Sequence, residues 1–248
     1  MKFSIIIPTY RETAGIALAV REVRRLAGGA ECEIIVADAT PGTAVPEALR
    51  GSGAITLSAP KGRGAQMNAG ALIATGEILL FLHADTRLPE NALAAIGTAM
   101  KSGRYSAGAF RLKIDSPAPW LRFVAWTANV RNFFTGTPYG DQAIFVRRDL
   151  FKKVGGYREI PVMEDLDFIE RVRGSGGRIV LLKEAVLTSP RRWETEGMLY
   201  TTLTHNLLRL LRLAGTTPVK MNAFRLARGL TGKLNALFGR APGPGNER

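Results

Sequence analysis

The chain reads as an α/β protein built on a mostly parallel central sheet with helices on both faces. Two observations predict this. From residue 4 to residue 100, short β-branched apolar runs alternate with helical patterns. That alternation implies parallel strands joined by helical crossovers. The runs also hand over to Tyr10, Asp38, Lys61 and Asp85. In open sheets of this kind, ligands bind in the crevice beyond the carboxyl ends of the strands.

Residues 4–7 form an apolar run stopped by Pro8, a buried strand. Residues 13–26 place Ile16, Val20, Val23 and Leu26 at helical spacing before Gly28-Gly29. Residues 33–37 are a second buried strand ending at Asp38, and 54–57 a third. Residues 66–75 read as a small-residue helix closed by Gly76. Residues 77–82 are a fourth strand, ending at His83-Ala-Asp85, and 89–100 a helix with Pro89 near its first turn. In the second half, 107–114 and 143–146 read as strands and 120–134 as an apolar-rich helix. Residues 150–154 open a short helix closed by Gly155-Gly156. A helix over 164–173 is followed by a glycine-rich turn and a strand over 179–182. The tail contains basic amphipathic helices over 203–213 and 223–238, then a disordered end over 241–248.

At 248 residues, 46% hydrophobic, the chain can bury one good core with a small appendage. It has no uncharged apolar run of about 18 residues, so no spanning helix is expected. Pro8 comes too early for the apolar core of a signal peptide. Cys32 is the single cysteine, which forbids an intrachain disulfide and fits a reducing cytoplasm. The net charge of +13 points to phosphates, nucleic acid or an anionic membrane face. Between Gly197 and Arg240 there are seven Lys or Arg and no acidic residue, so the excess is partly a feature of the tail. Nucleic acid is disfavoured, because interleaved aromatic platforms, zinc spacings and helix-turn-helix patterns are absent.

Two carboxylate clusters sit among apolar residues. His83-Ala-Asp85 follows Phe81-Leu82, and Glu164-Asp165 is followed by Leu166, Asp167 and Phe168. Such carboxylates need a metal, a proton or a cation to compensate them. A strand-end Asp can hold a divalent ion against substrate phosphates; it can equally cap the following helix. His83 suits a core histidine, a phosphate donor or a metal ligand. Lys61-Gly-Arg-Gly is a basic loop entering a helix, which attracts phosphate, although it lacks P-loop spacing. The acids at 164–167 suit either a helix dipole or a general base. Gly140-Asp141-Gln142 presents polar groups on a loop. Arg191, Arg192 and Trp193 offer fork donors and an aromatic face for a diphosphate or an acceptor ring.

In this order, the segments resemble the family-2 inverting glycosyltransferases of GT-A fold. Ile-Ile-Pro8-Thr9-Tyr10-Arg-Glu12 looks like that family's Pro-x-Tyr-Asn-Glu start, and the run ending at Asp38 like its Val-Asp-Asp-Gly-Ser segment. Gly62 to Gly70, with Asn68, is similar to its basic loop and Asn-x-Gly helix. His83-Ala84-Asp85 stands at the Asp-x-Asp metal position, with His83 replacing the first Asp. Phe145-x-Arg-Arg and Gly155-Gly-Tyr157 precede Glu164-Asp165 as in the family. Gly140-Asp-Gln142, Pro161-x-Met-Glu-Asp165, Thr188-Ser189 and Arg191-Arg-Trp193 look like the subgroup called radical-SAM/selenodomain-associated transferase 2. The resemblance spans residues 3–195.

The resemblance implies a catalytic domain over 1–195, with a nucleotide half to about residue 100 and an acceptor half beyond it. A basic helical region follows over 196–240. Pro8, Thr9, Tyr10, Glu12, Asp38, Lys61, Arg63, Asn68, His83, Ala84 and Asp85 would bind a nucleotide sugar, a UDP-sugar ahead of a GDP-sugar. Asp85 would bind Mn²⁺ or Mg²⁺. Asp165 would be the base, with Glu164 beside it. Gly140, Asp141, Gln142, Arg191, Arg192 and Trp193 would meet the acceptor or the diphosphate. The alternatives are a nucleotide-sugar-binding protein without transfer and a nucleotidyltransferase of similar fold. The latter would carry a Gly-x-Gly-Thr-Arg loop where this chain has Pro8-Thr-Tyr-Arg-Glu12. Leucine stripes in the tail (203, 207, 210 and 211, then 226, 230, 234 and 237) suit docking on the inner membrane face, with a lipid-linked acceptor. They suit packing on the catalytic domain or a dimer contact equally well.

Overall fold

A computed structural model describes residues 1–42, 44–213, 215, 216 and 220. Strands β1 (Phe3–Thr9), β2 (Cys32–Asp38), β3 (Ile55–Ser58) and β4 (Ile78–Phe81) alternate with helices α1 (Thr13–Ala27), α2 (Ala44–Ala48) and α3 (Arg63–Ile73). The order continues with β5 (Thr86–Arg87), α4 (Ala92–Lys101), β6 (Ala107–Ile114), α5 (Pro119–Thr135), β7 (Phe145–Arg147) and α6 (Arg148–Lys153). It closes with α7 (Glu164–Gly174), β8 (Ile179–Thr188), α8 (Arg191–Glu196) and α9 (Met198–Leu213). The strands form one sheet in the order β3-β2-β1-β4-β7-β6-β8-β5. β1 pairs in parallel with β2 and β4, β2 with β3, and β6 with β8; β7 and β5 pair antiparallel to their neighbours.

Period-2 alternation divides the core between the two faces of the sheet. Ile5 and Ile7 of β1 join Ile16, Val20 and Val23 of α1 and Ile96 and Met100 of α4. Ile6 faces the other way and joins Met67 and Ala71 of α3 and Phe168, Ile169 and Val172 of α7. Each fully buried side chain of this kind stabilises the fold by roughly 1.5–3 kcal/mol. Gly70 lets α3 lie on β1, because a Cβ there would come within 2.5 Å of Ile6 Cγ2. α5 starts with proline in its first turn and is closed by left-handed Gly136. The first turn of α7 holds Glu164, Asp165 and Asp167 and its last turn Arg171 and Arg173, matching the helix dipole at both ends.

The predicted elements from 4 to 182 all form, with shifted ends. β8 runs on to Thr188, beyond the expected 182: Lys183 and Glu184 interrupt its apolar run and fall where the pairing with β6 shifts register, and the pairing resumes at Ala185. β8 follows β6 through a register shift between Ala109 and Arg111 and pairs with β5 at Thr188. α2, β5 and α8 were not expected; each is a turn or less of apolar pattern, and α8 buries Trp193 alone. α9 starts at Met198, five residues before the expected 203. It buries Thr201, Thr204 and Leu208 against the rest of the fold, with Leu208 against Val162. Arg212 reaches Glu170 at 2.8 Å. Leu203 and Leu210 of the expected stripe stay exposed. The stripe over 223–238 and the end over 241–248 lie outside the described residues. Among the described residues, no helix is long and apolar enough to cross a membrane.

Candidate active site

At the carboxyl ends of β4 and β8 lies an open cavity of about 280 Å³. Its walls include Arg63, His83, Asp85, Asp141, Glu164, Asp165, Arg192 and Trp193. The two carboxylate clusters, eighty residues apart in sequence, therefore line one space. Gly62 and Arg63 enter from the start of α3, His83 and Asp85 from the end of β4, and Glu164 and Asp165 from the start of α7.

Asp165 is held at both oxygens. Its Oδ2 accepts from the Gly140 amide at 2.6 Å and its Oδ1 from the Leu166 amide at 2.7 Å. The closeness at Gly140 favours glycine, since a Cβ would lie 3.0 Å from His83 Nε2 and 3.3 Å from Asp165 Oδ2 and would press both side chains back by a few tenths of an ångström. Glu164, 6% exposed, has Arg63 Nη1 at 3.6 Å. His83 remains neutral: burial, followed by the charges of Arg63 and Arg192, lowers its pKa to about 3. Its imidazole can donate, accept or ligate, but carries no charge at working pH.

Asp141 is a poorly compensated carboxylate of the cavity. Its Oδ1 is shielded from water with no hydrogen-bond partner. Burial, followed by the negative charge of Asp165, pushes its pKa up to about 6. Between about pH 4 and 6 the folded state keeps a proton that the unfolded chain releases, so stability falls as pH rises through that window. By that shift, Asp141→Asn should be more stable than the parent at pH 8 by up to about 3 kcal/mol and equal to it below about pH 4. Urea unfolding at both pH values checks this; a variant equally stable at pH 8 would leave Asp141 compensated.

The remaining predicted residues fall into two groups. The first gathers at the ends of β1, β2 and β3. Tyr10 carries the Lys61 ammonium 4.6 Å from its ring centroid. Asp38 Oδ1 accepts from the Thr40 amide at 2.9 Å, and Thr9 Oγ1 is buried without a partner. Pro8 is buried within β1, and Ala84 packs against the core. This group does not line the cavity. Arg191 links the two regions: its guanidinium pairs with Glu12 and lies 3.9 Å from Asp85 Oδ2. The second group has its amides engaged inside the protein. Asn68 exchanges two bonds with the backbone of Tyr157, at 2.7 and 2.8 Å. Gln142, fully buried, donates to Phe110 O at 2.9 Å and accepts from the Tyr139 amide at 3.0 Å.

Other features of the site left little trace in the sequence. Leu208 of α9 lines the cavity, as do Ile160 and Val162. Among the described residues, the non-glycine positions with positive φ are Arg11, Ala143 and Met163. Each adjoins a site segment: Tyr10 and Glu12, the 140–142 turn, and Glu164. Left-handed backbone at such residues costs about 1–3 kcal/mol and clusters at functional sites.

A mostly parallel sheet that brings carboxylates from a strand end and a helix start to one cavity is the GT-A class of glycosyltransferase fold. The glycosyl transferase family 2 model matches residues 4–155, more than half of the chain, and the chain belongs to that family. No curated protein matches it. Solved structures do. The S. aureus TarS fragment 1–349 in complex with UDP-GlcNAc is 20% identical with a TM-score of 0.57, over 76% of this chain and 58% of the fragment. The mannosyltransferase PcManGT from Pyrobaculum calidifontis, in complex with GDP-Man and Mn²⁺, is 16% identical with a TM-score of 0.65, over 97% of this chain and 76% of its own. Mannosyl-3-phosphoglycerate synthase from Rubrobacter xylanophilus is 17% identical with a TM-score of 0.58, over 87% and 75%. At these identities the likeness is one of fold. This chain spans well under two thirds of the TarS fragment.

Proposed function

We propose that the protein transfers a sugar from a nucleoside-diphosphate sugar to an acceptor hydroxyl, with inversion at the anomeric carbon and Asp165 as the base. The observation that carries this is Asp165 itself. Its carboxylate is fixed by two amides and shares one cavity with Asp85 and the cations Arg63 and Arg192. The acceptor oxygen bonds to the anomeric carbon as that carbon's bond to the diphosphate oxygen breaks. The electron pair leaves with the nucleoside diphosphate, and the acceptor proton passes to Asp165. Arg63 and Arg192 offset the charge that builds on the leaving group. Asp141, beside Asp165, accepts from the hydroxyls of the acceptor. The nucleotide lies toward Tyr10, Asp38 and Lys61, with Arg191 between base and diphosphate. A UDP-sugar is favoured; a TarS structure holds UDP-GlcNAc and a PcManGT structure GDP-Man. The motifs at 140–142, 161–165 and 191–193 support the radical-SAM/selenodomain-associated transferase 2 subgroup. The lone Cys32 supports a cytoplasmic setting.

The donor set at the strand end fits a divalent ion that arrives with its substrate. Asp85 offers a partly exposed carboxylate and His83 a neutral nitrogen. Among the described residues, no three His, Cys, Asp or Glu side chains converge on a closed metal site, so diphosphate oxygens would complete the shell. When bound, Mn²⁺ or Mg²⁺ supplies positive charge to the diphosphate. Calorimetric titration of UDP and GDP should therefore show tighter binding with Mn²⁺ than without, and Asp85→Ala should abolish the difference. Equal affinities, or an unchanged metal effect in the variant, would contradict the role of Asp85.

The proposal is tested by incubating the full chain with UDP- and GDP-sugars in Mn²⁺ and measuring release of the nucleoside diphosphate. Release from at least one donor is expected. Binding without release from any donor would favour the binding-protein alternative. Release of inorganic pyrophosphate from a nucleoside triphosphate and a sugar phosphate would favour the nucleotidyltransferase.

A further inference from the structure

α5 turns Trp120, Phe123, Trp126, Phe133 and Phe134 to solvent, each between 40% and 78% exposed. At 100° per residue these side chains share one arc of the helix. Leu121, Ala125 and Asn132 are buried on the opposite arc. The rings form a ladder, with centroids 5.8 Å apart from Trp120 to Phe123 and again from Phe123 to Trp126. The helix is firmly seated on its inner side. Asn129 accepts from the amide of Leu112 at 2.8 Å and donates to its carbonyl at 2.9 Å. The aromatic arc is therefore a face that a well-anchored helix presents, and contiguous exposed apolar patches mark interaction surfaces.

We propose that this arc seats α5 in the headgroup region of an anionic lipid bilayer. Charge selects the occupant. α5 carries Arg122 and Arg131 and no Asp or Glu. At its end Arg173 donates to the carbonyl of Thr135, adding a third cation beside Phe133 and Phe134. The whole chain carries +13. A second copy docking by two-fold symmetry would bring Arg122 and Arg173 toward their own copies, and α5 supplies no acid to meet them. An anionic surface complements them. Tryptophan beside arginine, on an otherwise apolar arc, is the composition of a helix lying in the interface plane.

Seating α5 places the cavity at the lipid surface. The helix ends at Thr135, five residues before Gly140, whose amide holds Asp165. Tyr139 and Asp141, on either side of Gly140, line the cavity, and Arg131 stacks on the Tyr139 ring at 3.9 Å. The acceptor is then an amphiphile that offers its hydroxyl at headgroup depth, a consequence that rests on the transfer reading above.

Co-sedimentation of the full chain with vesicles tests the docking. Binding to vesicles of phosphatidylcholine with phosphatidylglycerol is expected, with little binding to phosphatidylcholine alone and release as salt is raised. The double variant Trp126→Glu/Phe134→Glu changes two exposed side chains and should lower partitioning by roughly tenfold or more. Calorimetric binding of UDP or GDP to the same variant should be unchanged, which separates the docking from the transfer reading. Three results would overturn the proposal. The parent does not sediment with anionic vesicles at low salt. The double variant sediments like the parent, which moves the anchor to the basic tail. Or the parent is a dimer that the variant splits, without vesicle binding, which makes the arc a self-contact.

Discussion

Asp165→Asn is expected to bind the donor nucleotide like the parent and to lose transfer by about 10²–10⁴, the usual effect of removing a general base. Asparagine is nearly isosteric, so one side-chain oxygen can still accept from the Gly140 amide and the cavity keeps its shape. What disappears is the site for the acceptor proton. Asp141 does not replace it well. Its carboxyl titrates at about 6 because it is buried and repelled by Asp165, and that repulsion is relieved in the variant. The variant is therefore expected to keep a small residual rate that rises with pH as Asp141 ionises. Calorimetry of the nucleoside diphosphate and turnover of the nucleotide sugar, measured together, check both halves. Near-normal turnover would remove Asp165 from the base role, and lost nucleotide affinity would make it a binding residue.

Asp167→Ala is expected to destabilise the fold by about 3–5 kcal/mol, the range for removing one partner of a buried ion pair. The Asp167 side chain is 4% exposed and accepts from Arg171 Nε at 2.8 Å, one turn along α7. Arg171 also donates to the carbonyls of Val154 and Gly156, which pins α7 to the turn after α6. Arg212 of α9 approaches the same carboxylate at 3.6 Å. Arg158, at 3.1 Å, is 64% exposed and adds little in water. Without the carboxylate, Arg171 is left mostly buried and short of its charge partner, while Arg212 keeps Glu170 at 2.8 Å. Urea unfolding should show a lower midpoint at unchanged slope. A loss below about 1 kcal/mol would mean that the arginines find other partners or water.

The sequence pattern reached the central strands because they are apolar on both faces. β1 and β4 are buried at every residue, and their unbroken apolar runs, Ile5–Ile7 and Ile78–Phe81, announce it. Asp85 and Asp165 were legible for a related reason: each follows an apolar stretch at a position where the chain changes element. The partners of the polar residues were not legible. Nothing local distinguishes Asn68, which braces Tyr157, from an amide aimed at a ligand, and Gln142 has the same ambiguity. The pairing of Arg191 with Glu12 joins residues 179 positions apart. The left-handed backbone at Arg11, Ala143 and Met163 carries no glycine to mark it. In α9 the inward face includes Thr201 and Thr204, so a search for leucine spacing mixes the inward Leu211 with the exposed Leu203 and Leu210. The aromatic arc of α5 raised the apolar count of a helix expected only as apolar-rich; its exposure has no signature in the sequence.

The central claim is single displacement of a nucleoside diphosphate at the anomeric carbon by a hydroxyl deprotonated at Asp165. Slow hydrolysis of the donor, with water in the acceptor's place, tests it most directly. Proton NMR recorded before mutarotation reads the anomer first released from the nucleotide sugar. The anomer opposite to that of the donor is the expected product. Release of the same anomer, by the wild-type chain and before equilibration, would contradict it.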